Sequence, residues 1–182
     1  MKKYLSLLSI AGAVIALDQA TKLYVHTRFH LSESVTVISN YFDLTYVRNY
    51  GAAFGILSNA APTFRDIFFL SMPPIALLII LFILKGVAES DRLQISGLSL
   101  VFGGAIGNYI DRIRFRYVID FLDFHIHGKY SWPAFNVADS PIVVGVGVLL
   151  LHMFLHKNDN VASTTNENSD RKISDEPLHP QS

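Results

Sequence analysis

LQISGLSLVFGGAIGNYIDR, residues 93–112, is the stretch of sequence that decides the fold. It carries no charged residue between Leu93 and Ile110, and this length is close to the ~20 residues that a helix needs to cross the hydrocarbon core of a bilayer. Small residues let membrane helices approach one another closely. The glycines of this stretch are Gly97, Gly103, Gly104 and Gly107. The stretch therefore predicts a transmembrane helix that packs tightly against its neighbours.

Three further apolar blocks lie at about residues 4–20, 67–84 and 141–156. The 182-residue chain is 51% hydrophobic and 16% charged, whereas soluble domains have about 25% charged residues. We therefore predict a mainly α membrane protein with four transmembrane helices, forming a single domain over residues 1–157. Residues 158–182 are polar and contain no aromatic residue, which is typical of a disordered tail.

Two of the apolar blocks have features that allow other interpretations. Lys2 and Lys3 precede the first block, and Ala11-Gly12-Ala13 resembles the cleavage site of a secretory signal peptide. That site comes too early in the block, and three more apolar blocks follow, so we expect a retained helix. Pro73 and Pro74 lie inside the second block and predict a kink or a local break.

The connecting segments differ in length. Residues 85–92 form a short hairpin, whereas residues 21–66 and 111–140 form two long loops on the opposite side of the membrane. Ser34 to Ile38 and Tyr41 to Val47 are rich in β-branched and aromatic residues, which predicts a small β-sheet in the first long loop. Lysine and arginine are nearly balanced between the two sides, and the pair at the N-terminus weakly favours cytoplasmic termini.

The overall composition excludes several functions. The formal net charge is zero, so nothing points to nucleic acid as a partner. The chain has no cysteine. A cysteine nucleophile, a disulfide framework and a thiolate metal site are therefore excluded.

Two aspartates lie between the last two apolar blocks, in the runs VIDF (118–121) and FNVAD (135–139). A carboxylate at a bilayer edge is costly unless it has a role. Asp120 and Asp139 together could share one proton and activate water for peptide hydrolysis. Simpler roles are also open: Asp139 could cap the last helix, and Asp120 could be a solvated loop carboxylate. Asp123 is a second candidate for the pair, and spacing alone does not choose between it and Asp120.

Further polar clusters interrupt the apolar sequence near the same membrane face. Asp18 and Lys22 are four residues apart, which suits an ion pair on one helix face. The small residues of the run 49–54 would let the backbone approach another chain or a lipid closely. Asn108 and Arg112 share one face of the third helix.

A metalloprotease, a serine protease and a small transporter are the alternatives. His125-Ile126-His127 lies near Asp120 and Asp123 and could supply metal ligands, but no HExxH pattern is present. No GxSxG run is present for a serine nucleophile. The polar residues gather near one membrane face, whereas an ion path would need them through the depth of the membrane.

Five polar motifs in order give the chain a resemblance to the bacterial lipoprotein signal peptidases, also called signal peptidase II. The resemblance covers about residues 1–156. The motifs are Asp18-Gln19…Lys22, Asn49-x-Gly51-Ala52-Ala53-Phe54, Gly107-Asn108-x-x-Asp111-Arg112, Val118-x-Asp120-Phe121 and Phe135-Asn136-x-Ala138-Asp139.

The resemblance implies an aspartic endopeptidase without a cofactor or a metal. It would remove the signal peptide from diacylglyceryl-modified prolipoproteins, cutting before the lipidated cysteine. Asp120 and Asp139, and not Asp123, match the catalytic pair. The residues that match the lining of the active site are Asn49, Gly51, Asn108, Arg112 and Asn136. The residues that match supporting positions are Asp18, Lys22 and Asp111.

The same resemblance implies a location and partners. The protein would lie in the bacterial inner membrane with cytoplasmic termini, a cytoplasmic C-terminal tail and an active site toward the periplasmic face. Its partners would be the signal-peptide helix and lipid of the substrate, membrane lipids, and globomycin-type peptides that inhibit by occupying the aspartate pair.

Overall fold

A computed structural model describes residues 1–51, 56–57, 59–127 and 130–155. The predicted tail (158–182) and the residues Ala52, Ala53 and Phe54 of the second motif lie outside these ranges. The elements in chain order are α1 (Lys2–Arg28), β1 (Ser34–Ile38), β2 (Phe42–Asn49), α2 (Pro62–Gly86), α3 (Arg92–Phe115), β3 (Val118–Ile126), β4 (Tyr130–Ser131) and α4 (Asp139–Leu155). The prediction of a mainly α chain with a small β-sheet is confirmed.

Helices α1, α2 and α3 are each long and apolar enough to cross a membrane. They have 27, 25 and 24 residues, so each extends beyond the apolar block that predicted it. The described part of α4 is apolar but shorter, at about 25 Å for a rise of ~1.5 Å per residue. The count of four spans therefore stays a prediction. Helix α2 continues through Pro73 and Pro74, so these prolines do not break it.

Glycines bring α3 into backbone contact with both α1 and α4. A Cβ atom at Gly103 would lie 2.8 Å from the Cα of Ala11 on α1. A Cβ atom at Gly104 would lie 2.3 Å from the carbonyl oxygen of Ala138, just before α4. These approaches agree with the role predicted for the glycines, and they bring the polar residues at the end of α3 close to the start of α4.

We expect Gly104→Ala to destabilise the protein. The added methyl group would meet backbone that a side-chain rotation cannot move, and overpacking of this kind costs about 1–3 kcal/mol. Gly12→Ala is the matched control, because a Cβ atom at Gly12 meets nothing within 4 Å. Thermal unfolding in detergent measures both variants. Equal melting temperatures for Gly104→Ala and Gly12→Ala would contradict the close helix approach.

The sheet contains strands from both long loops and not from the first loop alone. Its strand order is β1-β2-β3-β4, and all neighbours are antiparallel. Strands β1 and β2 match the predicted runs, and Asn40 in the turn between them has a φ of 69°, which asparagine tolerates well. Strand β3 was not predicted. The expectation that the sheet lies in the first long loop is therefore incomplete, because the second long loop supplies two of its four strands.

The sheet packs on the end of α1. Val25 of α1 is buried with Tyr46 of β2 and with Ile119 and Phe121 of β3. A second apolar cluster, at the opposite end of the helices, joins α1, α2 and α3. The first cluster holds β3 against the helices at the level where α3 ends and α4 begins.

Candidate active site

The alternation of side chains along strand β3 determines which aspartate faces the polar residues at the end of α3 and the start of α4. Successive side chains of a strand point to opposite faces of the sheet. Ile119 and Phe121 point into the core with Val25, so Asp120 points to the other face, and Asp123 points to the same face as Phe121. Asp120 is 3% exposed. The structure therefore separates the two candidates that spacing left open.

Asp139 lies in the first turn of α4, and Asn136 caps this helix. The Oδ1 atom of Asn136 accepts hydrogen bonds from the backbone N–H groups of Ala138 (2.9 Å) and Asp139 (3.2 Å). The Asp139 Oδ2 atom accepts from the backbone N–H of Asn136 at 3.0 Å. This reciprocal arrangement is a capping box. The expectation that Asp139 itself caps the helix is wrong, because its position is three residues further on.

Two asparagine side chains bring the two carboxylates together. The Nδ2 atom of Asn136 donates to Asp120 Oδ1 at 2.7 Å and to Asn108 Oδ1 at 3.0 Å. The Nδ2 atom of Asn108 donates to Asp139 Oδ1 at 2.8 Å. Asn136 thus touches both carboxylates, one through its side chain and one through its backbone. The orientation of each carboxylate is fixed by amide donors.

Asn49 and Gly51 lie on the other side of Asp120. The Asn49 Nδ2 atom donates to Asp120 Oδ2 at 2.9 Å, and its Oδ1 atom accepts from the Gly51 N–H at 2.9 Å. Arg112 donates to the carbonyl oxygens of Gly51 (3.2 Å) and Asn108 (3.3 Å). Its guanidinium group also stacks 4.9 Å from the ring centroid of Phe69. All five residues expected to line the site are therefore within two hydrogen bonds of a carboxylate.

A buried ionic cluster, formed by Asp18, Lys22 and Asp111, lies beside the aspartate pair and supports it. The Lys22 Nζ atom lies 3.0 Å from Asp18 Oδ2, 3.2 Å from Asp111 Oδ2 and 2.9 Å from Asn108 Oδ1. The three charged side chains are at most 2% exposed. Lys22 therefore fixes the side-chain oxygen of Asn108. The side-chain NH2 group of Asn108 is then left to face Asp139.

The ionic cluster also joins α1 and α3 to the segments that carry the aspartate pair. Asp18 Oδ1 accepts the Ala138 N–H at 2.9 Å, and Asp111 Oδ2 accepts the Ile119 N–H at 3.0 Å. Gln19, to which the sequence analysis gave no role, donates to Asp18, Asp111 and the carbonyl of Gly107, each at 3.1 Å. Its position three residues before Lys22, on the same helix face, is the signal that could have identified it.

The environment of Asp120 raises the pKa of its carboxyl group toward neutral pH. Burial, followed by the nearby charge of Asp139, raises the pKa of Asp120 to about 7. The hydrogen bonds from Asn49 and Asn136 oppose this rise, because they favour the ionised form. A carboxyl group with a pKa near 7 can exchange a proton at the pH of the cell.

The histidines considered as metal ligands do not join the aspartate pair. His125 lies near Asp123 and Asp43 on the opposite face of the sheet. His127 is in the following turn, with its ring 5.3 Å from that of Tyr41. Within the described ranges, Asp120 and Asp139 belong to no group of three potential metal ligands. The ligand set that the metalloprotease alternative needs at Asp120 is therefore not assembled there.

Comparison with known proteins agrees with this site. The family model for signal peptidase (SPase) II matches residues 10–155. The chain belongs to the signal peptidase II family. The members of this family are aspartic peptidases, and this chain is accordingly an aspartic peptidase of the membrane. The matched residues include every one that contributes to the geometry described above.

Individual relatives cover most of this signal peptidase II. The lipoprotein signal peptidase of Syntrophus aciditrophicus (strain SB) is 52% identical over 84% of this chain and 95% of its own length. That of Desulforapulum autotrophicum is 45% identical, over 81% and 91%. A solved bacterial membrane enzyme, determined by the in meso method at 2.3 Å resolution, is 33% identical with a TM-score of 0.75, over 84% of this chain and 90% of its own.

Proposed function

We propose that this signal peptidase II removes the signal peptide from diacylglyceryl-modified prolipoproteins, cutting before the lipidated cysteine, with Asp120 and Asp139 as its catalytic pair. The observation that carries the proposal is the Asn136 contact with both carboxylates, by its side chain at 2.7 Å and its backbone at 3.0 Å. The substrate class comes from the names of the relatives, which are lipoprotein signal peptidases.

The pair would act by sharing one proton. Two close carboxyl groups cannot both ionise easily, and the raised pKa of Asp120 makes it the protonated member in the free enzyme. Asp139, which accepts two N–H donors, would act as the base. It takes a proton from water while the water oxygen attacks the scissile carbonyl carbon. Asp120 hydrogen-bonds the carbonyl oxygen, and its proton passes to the leaving nitrogen as the C–N bond breaks.

The position of the pair along the helices supports cleavage at a membrane edge. Asn108, Asp111 and Arg112 are in the C-terminal part of α3, and Asp139 is at the start of α4. A substrate's apolar signal segment, typically 7–15 residues long, would lie beside the helices with its end at the aspartate pair. The lipid of the modified cysteine would then remain in the bilayer. Lys2 and Lys3 at the start of α1 favour termini in the cytoplasm, which would place the active site toward the periplasmic face of the inner membrane, where globomycin-type peptides would occupy the aspartate pair.

A comparison of two precursors tests the substrate class. Purified enzyme in detergent with EDTA receives the same prolipoprotein with and without the diacylglyceryl group, and the products are separated by gel shift. We expect cleavage of the lipidated form, at a rate at least about tenfold above the other. Equal rates for the two forms would contradict the lipoprotein assignment and leave a general membrane peptidase.

The pKa of Asp120 predicts the alkaline limb of the pH profile. We expect kcat/KM to fall as the pH rises through about 7, because the pair then loses its shared proton and both carboxylates are charged. Cleavage measured between about pH 5 and pH 9 on one lipidated substrate checks this. A rate that stays constant through this range would contradict the assignment of Asp120 as the protonated member.

Asn49→Ala should move that limb to higher pH. The Asn49 amide donates to Asp120 at 2.9 Å and favours the ionised form, so its removal raises the pKa of Asp120 further. Asn59→Ala, an exposed asparagine outside this hydrogen-bond network, is the control and should keep the wild-type limb. A limb at the wild-type pH in Asn49→Ala would show that the contact does not tune Asp120.

A further inference from the structure

Three potential metal ligands converge on the sheet face opposite Asp120. Asp43 of β2 and Asp123 of β3 are direct cross-strand partners, and His125 follows Asp123 by two residues, on the same face. One ligand atom from each of these three side chains lies within 4.8 Å of the other two. All three residues are half-buried. Together they are the sheet cluster.

The sheet cluster carries negative charge with no compensating cation in the part of the chain that the structure describes. Like charges directly opposite on neighbouring strands are destabilising. No lysine or arginine nitrogen within the described ranges lies within 4.0 Å of either carboxylate. The polar contacts of the two groups are long hydroxyl contacts, from Ser34 to Asp43 at 3.5 Å and from Ser131 to Asp123 at 3.3 Å.

An unpaired buried oxygen is an independent indication of a ligand. The Oδ1 atom of Asp43 is shielded from solvent and accepts no hydrogen bond from any residue that the structure describes. A buried acceptor without a donor is costly, and native proteins rarely leave one. A cation bound to this carboxylate would satisfy the oxygen and neutralise the charge of its neighbour on β3.

We propose that the sheet cluster binds a divalent transition-metal ion of the Zn²⁺ type. An imidazole with two carboxylates suits such an ion better than Mg²⁺ or Ca²⁺, which prefer oxygen ligands alone. Water completes the coordination of the ion. The site is separate from hydrolysis, because Asp123 is about 10 Å along the strand from Asp120 and points to the other face. The bound ion joins β2 to β3, the strand that carries Asp120.

Metal binding to the full-length, untagged protein tests the proposal without any measure of peptidase activity. Protein in detergent is stripped with a chelator and dialysed, and Zn²⁺ is then titrated by calorimetry and in thermal unfolding. We expect one Zn²⁺ per chain and a melting temperature that rises with Zn²⁺ concentration, because an ion that binds only the folded state stabilises it. Absence of binding to folded protein would overturn the proposal.

Matched variants identify the ligands. His125→Gln should weaken Zn²⁺ binding at least about tenfold, since loss even of groups that only orient metal ligands costs 10–100-fold. His127→Gln, two residues further on and outside the sheet cluster, should bind as the wild type does. Asp43→Asn should raise the melting temperature of the metal-free protein, by removing a repulsive charge, and should abolish its response to Zn²⁺. Equal affinity in His125→Gln and His127→Gln would overturn the proposal, as would Ca²⁺ binding that does not depend on His125.

Discussion

Asp120→Asn protein is expected to fold in the membrane and to cleave prolipoprotein at least about 10²–10⁴-fold more slowly than the wild type. This range is the usual contribution of one general acid–base group. The amide has nearly the same shape as the protonated carboxyl group, so it preserves packing beside Asn49 and Asn136. It cannot transfer the shared proton to the leaving nitrogen. Single-turnover cleavage in detergent, with equal amounts of folded enzyme, measures the effect.

Asp91→Asn is the matched control for Asp120→Asn. The same replacement of aspartate by asparagine is made here at the other end of α3, where the Asp91 side chain caps the helix. Asparagine caps a helix about as well as aspartate does. This variant should cleave within about twofold of the wild type. Cleavage by Asp120→Asn within tenfold of the wild type would remove Asp120 from the chemistry and leave it as a structural carboxyl group.

Lys22→Met should cause the largest loss of stability among single substitutions in the polar network. It leaves Asp18 and Asp111 buried without their shared cation, and the removal of one partner from a buried ion pair costs about 3–5 kcal/mol. The substitution also removes the 2.9 Å hydrogen bond from Lys22 to the side-chain oxygen of Asn108. We expect a lower melting temperature and a lower cleavage rate together. Thermal unfolding in detergent and a cleavage assay measure the two effects.

A neutral version of the cluster separates charge from packing. In Asp18→Asn/Lys22→Met/Asp111→Asn no charge remains to be compensated, so much of the lost stability should return. Lys85→Met, at an exposed position in the last turn of α2, should change stability by no more than about 0.5 kcal/mol. A Lys22→Met protein as stable as Lys85→Met would contradict the view that the ionic cluster holds α1, α3 and α4 together.

Local sequence patterns were sufficient for the helices and for half of the sheet. The apolar blocks identified α1, α2, α3 and α4, because length and hydropathy are properties of single segments. The apolar blocks did not predict the polar ends of the helices. Helix α1 continues to Arg28, because Asp18 and Lys22 form an ion pair inside the protein and do not need solvent. Strand β3 was missed because Asp120 and Asp123 interrupt its apolar residues, although Asp120 is accommodated in the fold by hydrogen bonds from Asn49 and Asn136.

The members of the candidate site were predictable, but their roles depend on contacts between distant segments. The five motifs named both carboxylates and the residues around them. The sequence did not show that Asn136, and not Asp139, caps α4, because a capping box and an ordinary cap have similar patterns. It also did not show that Asp123 faces away from Asp120. That distinction follows from the alternation along a strand, and the strand itself forms only when the two long loops pair.

Hydrolysis by the aspartate pair is tested by the intact mass of the product that the wild type and Asp139→Asn each release from a lipidated prolipoprotein in EDTA. The Asp139 side chain accepts hydrogen bonds from the Asn108 amide and the Asn136 backbone, and the amide that replaces it in Asp139→Asn cannot take a proton from water. We expect a product with an N-terminal diacylglyceryl-cysteine from the wild type and uncut precursor from Asp139→Asn. The same product from Asp139→Asn, at a rate within tenfold of the wild type, would contradict hydrolysis by the aspartate pair.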